Sequence, residues 1–168
     1  LQSRGLGDVY KRQDNKDVKI QSIDGLGYEG QCIQLGNPLA PVQDTYRTDM
    51  TGRAEYDFYS FNAGSVTVYT YAIPTFPLYP GRSTRFGVMI DDGVIKFASN
   101  DAKEYSSEWK ENVARNGSVN AIRLTVNKPG KHTLKLICKD PGVMVQKVVI
   151  DFGGMKRSYL GPEVTLMK

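Results

Sequence analysis

KHTLKLICKDPGVMVQKVVIDFGGMKRSYLG, residues Lys131 to Gly161, begins with strict alternation. Leu134, Leu136 and Cys138 share one parity and Thr133, Lys135 and Ile137 the other, the period of a strand with one buried side. Asp140-Pro141-Gly142 supplies a turn, because proline presets one turn dihedral and glycine tolerates positive φ. The next apolar run, Val143 to Phe152, is too short and too rich in β-branched residues to prefer helix. Gly153-Gly154 ends it, and Ser158-Tyr159-Leu160-Gly161-Pro162 closes the fold.

Upstream, Asn120 to Val126 reads as a strand with Ile122, Leu124 and Val126 inward, and Pro129-Gly130 turns into the Lys131 segment. Ser106 to Asn116 is the one predicted helix: a serine cap precedes it, Trp109 and Val113 share a face at i, i+4, and Asn116-Gly117 stops it. Thr84 to Ile90 alternates with Phe86, Val88 and Ile90 inward. Asp91-Asp92-Gly93 then carries an Asp-Gly hairpin signal into Val94 to Phe97. Ala54 to Phe61 sets Tyr56 and Phe58 against Glu55, Asp57 and Tyr59. Asn62-Ala63-Gly64 reads as a hairpin turn into Ser65 to Ile73, where Val66 and Val68 point inward and Tyr69 and Tyr71 take the opposite parity. Pro74 and Pro77 end that strand, since proline cannot donate to a ladder.

Asp17 to Gln21 and Gln31 to Leu35 read as short strands around Gly25-Leu26-Gly27-Tyr28-Glu29-Gly30, before a loop at Gly36 to Gly52. The glycine-rich hexapeptide lacks the lysine–serine/threonine ending and the following apolar helix of a phosphate loop, so its glycines serve tight turning. Many short alternating strands with almost no helix imply an all-β antiparallel β-sandwich.

GKHTLK, DPGVMVQKVVID, GG and SYLGP, in that order and at close spacing, resemble the C-terminal β-sandwich domain of family 115 glycoside hydrolases, the xylan α-1,2-glucuronidases. GLGYEG, then Pro74-Thr75-Phe76-Pro77 with Asp91-Asp92-Gly93, extend the likeness from about Asp17 to Pro162. The resemblance implies jelly-roll, galactose-binding-like topology and a non-catalytic accessory domain. That domain is expected to dock on an upstream catalytic domain or on a second protomer in a homodimer, with a carbohydrate-binding module for glucuronoxylan as the alternative. The resemblance implies a parent enzyme exported to the periplasm or the exterior. It also implies one further strand before GLGYEG, so one sheet edge is expected to be incomplete.

The chain has 168 residues, the size of one domain with a real core, and its 40% hydrophobic and 24% charged residues describe an ordinary globular protein. No apolar run approaches membrane-spanning length, and no secretory apolar region is present. LQSRGLGDVYKRQ, residues 1–13, is similar to a translated sequencing adaptor and is expected to be a non-native or unstructured leader on a fragment, with 14–168 forming the accessory domain. Arg4, Lys11 and Arg12 against Asp8 give that leader +2 of the formal +4, leaving +2. So small a balance, without a Lys/Arg stripe, excludes nucleic acid as the expected partner. Cys32 and Cys138 sit in strand-like apolar settings and are expected to be buried free thiols, a single disulfide being the alternative, with no metal-ligand spacing around either.

Catalytic chemistry finds no constellation. Asp91 and Asp92 are adjacent in a turn and cannot converge on one bond as strand neighbours. Glu55 and Asp57 share a face as solvated strand charges. His132 lacks a nucleophile motif nearby, and Ser158 lacks a nucleophile elbow. No catalytic residue, cofactor or metal is expected. Aromatic residues are the stronger signal. Tyr59, Tyr69 and Tyr71 are expected to share the outward face of two strands paired across Asn62–Gly64, a platform for sugar rings or for the parent enzyme. Phe76, Tyr79 and Arg82 form an expected rim, with Arg82 suited to a uronic acid carboxylate. Trp109 is expected to anchor the helix in the core or at the same interface.

Overall fold

The computed structural model describes residues 2–4 and 10–12 as backbone strands, and 18–44, 52–156 and 158–163 in full. In chain order the strands are β1 (Gln2–Arg4), β2 (Tyr10–Arg12), β3 (Ile20–Asp24), β4 (Gln31–Leu35), β5 (Arg53–Ser60), β6 (Gly64–Ala72), β7 (Arg85–Ile90), β8 (Lys96–Ser99), β9 (Ser118–Val126), β10 (Gly130–Cys138) and β11 (Val143–Asp151). The helix α1 (Ser107–Arg115) precedes β9. Two antiparallel sheets result: β3-β4-β11-β6-β9, with β1 also on β11, and β2-β5-β10-β7-β8. This is the β-sandwich that the alternation implied.

The inner faces follow the parity of the sequence. Tyr56 and Phe58 from β5, Phe86, Val88 and Ile90 from β7, and Leu134, Leu136 and Cys138 from β10 meet Val66, Val68, Ile122, Leu124, Val126, Val145, Val148 and Ile150 from the facing sheet. Each fully buried Val, Leu, Ile or Phe contributes about 1.5–3 kcal/mol of transfer free energy, so this layer dominates stability. The helix lies as expected, with Ser106 Oγ accepting from the Trp109 amide at 3.1 Å and Asn116 in the left-handed region at φ 51°.

Three tight connections carry the chain from one sheet to the other, one of them where sequence periodicity suggests a hairpin. Asn62–Gly64 does not make a hairpin: β5 and β6 lie in opposite sheets, and β5 pairs with β10 while β6 pairs with β9 and β11. Asp140–Gly142 behaves alike, carrying β10 in one sheet to β11 in the other. So does the turn between β9 and β10. Both inner strand faces in each case are apolar on the same parity, so folding the chain over buries them against each other instead of edge to edge.

GLGYEG closes the β3–β4 hairpin, the Gly25 amide donating to the Gly30 carbonyl at 2.8 Å, with Gly25, Gly27 and Gly30 at positive φ. The strand expected over Asp17 to Gln21 is β3, which begins at Ile20 and runs to Asp24. The edge expected to be incomplete is occupied: Gln2–Arg4 pairs with Val148–Ile150 of β11, beyond the end of β4, and Tyr10–Arg12 pairs with β5. Leu1, 5–9, 13–17 and 45–51, which include the remainder of the leader and part of the Gly36 to Gly52 loop, lie outside the described residues.

Candidate functional site

At one end of the sandwich β6 and β8 finish while β7 and β9 begin. Pro74 and Pro77 stop the β6 ladder there and throw out a loop that carries Phe76, 77% exposed. Between this loop and α1 lies a cleft of about 320 Å³, lined by Pro74, Phe76, Asn100, Trp109, Val113 and Ser118 among others. A second groove of about 200 Å³ lies on the far side of Phe76, against Pro38, Leu78 and Pro141. Trp109 is half-buried, its ring 5.2 Å from that of Tyr105. The cleft therefore has an aromatic wall on each side.

Its polar groups are few and placed by β8 and β9. Asn100 Oδ1 accepts from Ser118 Oγ at 2.6 Å and from Asn120 Nδ2 at 2.8 Å. Two donors on one oxygen fix which way the amide points. Among the described residues its Nδ2 is then buried with no partner, and Thr75 Oγ1, also lining the cleft, is in the same position. A buried unmet polar group costs about 1–3 kcal/mol, so both gain when a ligand or water satisfies them. The neighbouring Asp101 is occupied, accepting from Ser83 Oγ, Ser99 Oγ and Thr84 Oγ1. Burial pushes the Asp101 carboxyl up, but those hydrogen bonds outweigh it and hold it below the usual carboxylate range.

The sequence-predicted site residues separate into three places. Phe76, Arg82 and Trp109 come together around the cleft. Arg82 is buried there, Nη2 donating to the Pro141 carbonyl at 3.0 Å and Nη1 to the Tyr79 hydroxyl at 3.3 Å, with its guanidinium 5.5 Å from the centre of the Tyr79 ring. That fork braces the loop instead of facing solvent. Tyr59, 51% exposed, lies on β5 with its ring edge against Phe61. Tyr69 and Tyr71 lie on the outer face of the other sheet, because β5 and β6 do not pair; the shared tyrosine platform is not formed. Tyr71 is buried beneath the C-terminal segment, where a Cβ on Gly161 would stand 2.6 Å from its hydroxyl.

Other titratable groups are held by structural partners. His132 is buried between Asp91 and the Lys128 carbonyl, Asp92 pairs with Lys135 at 2.8 Å, and Asp57 pairs with Lys131 at 2.9 Å. Glu55 pairs with Arg53 at 2.7 Å. Among the described residues no three His, Cys, Asp or Glu side chains converge on a metal position. Asn100 and Thr75 are the polar groups that sequence reasoning missed. Thr75 stood inside the quoted Pro74–Pro77 motif, but nothing local marked Asn100, whose role depends on strand neighbours 18 and 20 positions away.

The profile of the glycosyl hydrolase family 115 C-terminal domain matches residues 7–164. No curated protein matches the chain by sequence. Among solved structures, a family 115 4-O-methyl-alpha-glucuronidase with specificity for decorated arabinogalactans is similar over 88% of this chain, at 25% identity and a TM-score of 0.64. That likeness covers 17% of the glucuronidase, so the chain spans a small part of that relative's length. A family 35 carbohydrate binding module from Clostridium thermocellum is similar at a TM-score of 0.53 and 9% identity, over 90% of this chain and 97% of the module. The C-terminal family 6 module of a marine laminarinase from Zobellia galactanivorans is similar at 0.50 and 10% identity, over 86% and 99%. At those identities the two modules share the fold alone.

Proposed function

Because this chain belongs to the glycosyl hydrolase family 115 C-terminal domain family, we propose that it is a non-catalytic accessory domain of a glucuronidase, holding saccharide in the cleft between Phe76 and Trp109. One observation carries the reading: the buried Asn100 amide nitrogen has no partner among the described residues, beside a cleft walled by two aromatic side chains. Sugar rings present apolar C–H faces to aromatic walls and hydroxyl oxygens to a waiting N–H, so this pairing of groups suits them. Glucuronoxylan is the proposed polymer. With a polysaccharide as substrate, the parent enzyme is proposed to work in the periplasm or outside the cell.

Titration calorimetry of the whole chain with glucuronoxylan and with neutral xylo-oligosaccharides tests this. Saturable binding that weakens about tenfold in Asn100→Ala and in Trp109→Ala is expected. A flat titration with both ligands sinks the reading, as does unchanged affinity in both variants. Incubation of glucuronoxylan with the chain should release no glucuronic acid; release would make the domain catalytic.

Docking on the catalytic domain or on a second protomer is the second reading. Leu39 and Leu78, 84% and 57% exposed, favour it, since they stay open at the same end without lining the Asn100 cleft. Concentration-dependent dimerisation in sedimentation, abolished in Leu39→Ser with Leu78→Ser, supports it; a monomer at all concentrations that also fails to associate with a separately produced catalytic domain ends it.

A further inference from the structure

The cleft uses one face of α1, carrying Trp109, Asn112 and Val113. Glu111 and Arg115 occupy another face, above a separate hollow of about 230 Å³ that shares no lining residue with the cleft. Its floor is the outer face of a sheet: Tyr69 and Tyr71 on β6 stand in register with Ala121 and Val119 on β9. The C-terminal segment closes the far side through Ser158.

Arg115 is the unusual member. Among the described residues its Nε is buried without a partner, and its nearest carboxylate is Glu111 at 3.9 Å, a side chain 72% exposed. That separation is too long for a hydrogen bond. Lys147, which pairs in register with Tyr71, differs: Glu29 at 3.5 Å and the Leu160 carbonyl at 3.2 Å already engage it. The Arg115 charge reaches the tyrosines around it. Burial pushes the Tyr28 and Tyr71 hydroxyls up, and the guanidinium partly offsets both shifts. The last turn of α1, from which Arg115 projects, is held by the Tyr28 hydroxyl donating to the Arg115 carbonyl at 3.1 Å and the Tyr159 hydroxyl to that of Ala114.

A guanidinium fork matches a carboxylate in two parallel hydrogen bonds, and a half-buried tyrosine ring beside it offers an apolar face. We infer that this hollow binds a carboxylate-bearing saccharide, with Arg115 taking the carboxylate and Tyr69 the sugar ring. The inference rests on the accessory-domain reading for its ligand class, but its location is independent of the cleft. The two sites flank one helix, the aromatic-walled cleft on the Trp109 side and the hollow on the Arg115 side.

Amide-resolved NMR titration of the whole chain, with D-glucuronate and D-glucose as separate probes, decides it. Glucuronate is expected to shift Tyr69, Arg115 and Ala121 and to bind about tenfold more tightly than glucose there. Arg115→Gln abolishes that preference, Glu111→Ala strengthens it by removing the competing carboxylate, and Asn100→Ala leaves it unchanged. Equal binding of glucose and glucuronate overturns the inference, as does a preference that survives Arg115→Gln or shifts confined to the Asn100 cleft. Glucuronate binding at Arg115 with no xylo-oligosaccharide binding in the cleft sinks the cleft reading alone.

Discussion

Nδ1 of His132 lies 2.7 Å from Oδ2 of Asp91, and Nε2 of the same ring lies 2.8 Å from the carbonyl oxygen of Lys128. Both partners are acceptors, so the ring is satisfied only when both nitrogens carry protons. The site selects the imidazolium. Asp91 in turn accepts from the Thr133 amide at 2.9 Å, its backbone turning through the left-handed region at φ 53° to do so. The sole histidine thus joins the Asp91-Asp92-Gly93 turn to the start of β10.

The hydrogen bond to Asp91 raises the His132 pKa above its ordinary 6.5, with burial opposing. A raised native value means the folded state holds the proton more tightly than the unfolded one. Its stabilisation is complete below the unfolded histidine range and disappears as pH climbs through the native value. Thermal unfolding from about pH 6 to about pH 9 should show the midpoint falling more in the parent chain than in His132→Gln. Parallel curves for the two proteins would remove the imidazolium from the account.

Asp140 holds the other end of the sandwich. Only 1% exposed, it accepts from the Arg85 amide at 2.7 Å, from Nε at 2.8 Å and from Nη2 at 3.1 Å. Asp140→Ala removes the acceptor of the Arg85 amide, while the half-exposed guanidinium turns to water, and is expected to cost about 2 kcal/mol, with Asp140→Asn recovering part. Urea midpoints measure this. A loss under about 0.5 kcal/mol, the range of ordinary surface changes, would mean that the pair contributes no net stability.

Tyr71 and Tyr59 part company in the same measurement. Tyr71, 3% exposed and covered by Gly161, should cost about 3 kcal/mol when truncated to alanine. Tyr59→Ala, at an exposed position, should stay within about 1 kcal/mol. The opposite order would contradict the burial of the C-terminal segment on β6.

Cys32 and Cys138 are both free and buried. Burial pushes the Cys138 thiol up to about 12 and raises that of Cys32 as well. The thiolate is the reactive form, so neither should label rapidly with a disulfide reagent in the native state at neutral pH. Unfolding should release two reactive thiols. A fast-reacting thiol in the folded protein would show that one of these strands opens readily.

Strand existence, core parity and the helix were legible because each is a local property. Phe86, Val88 and Ile90 alternate whichever strand they pair with, and Ser106 caps α1 regardless of what α1 covers. Pairing was not legible at Asn62–Gly64, since a short glycine turn serves a hairpin and a crossing between layers equally well. The consequence fell on the site: Tyr59 went to one sheet and Tyr69 with Tyr71 to the other, and the residues that do meet are Phe76, Arg82 and Trp109. Asn100 stayed hidden for the same reason. Its amide is oriented by Ser118 and Asn120, a relation that only the assembled sheets create.

The repeated crossings between layers also govern how the molecule can be taken apart. Among the described strands, consecutive ones close as hairpins only at β3–β4 and β7–β8; the chain otherwise leaves a layer before completing it. A break after β5, β9 or β10 would therefore strip both sheets at once and leave no self-sufficient half. Such an interleaved chain assembles all together or not at all, and its refolding should take milliseconds to seconds, the regime of sandwiches built from distant pairings.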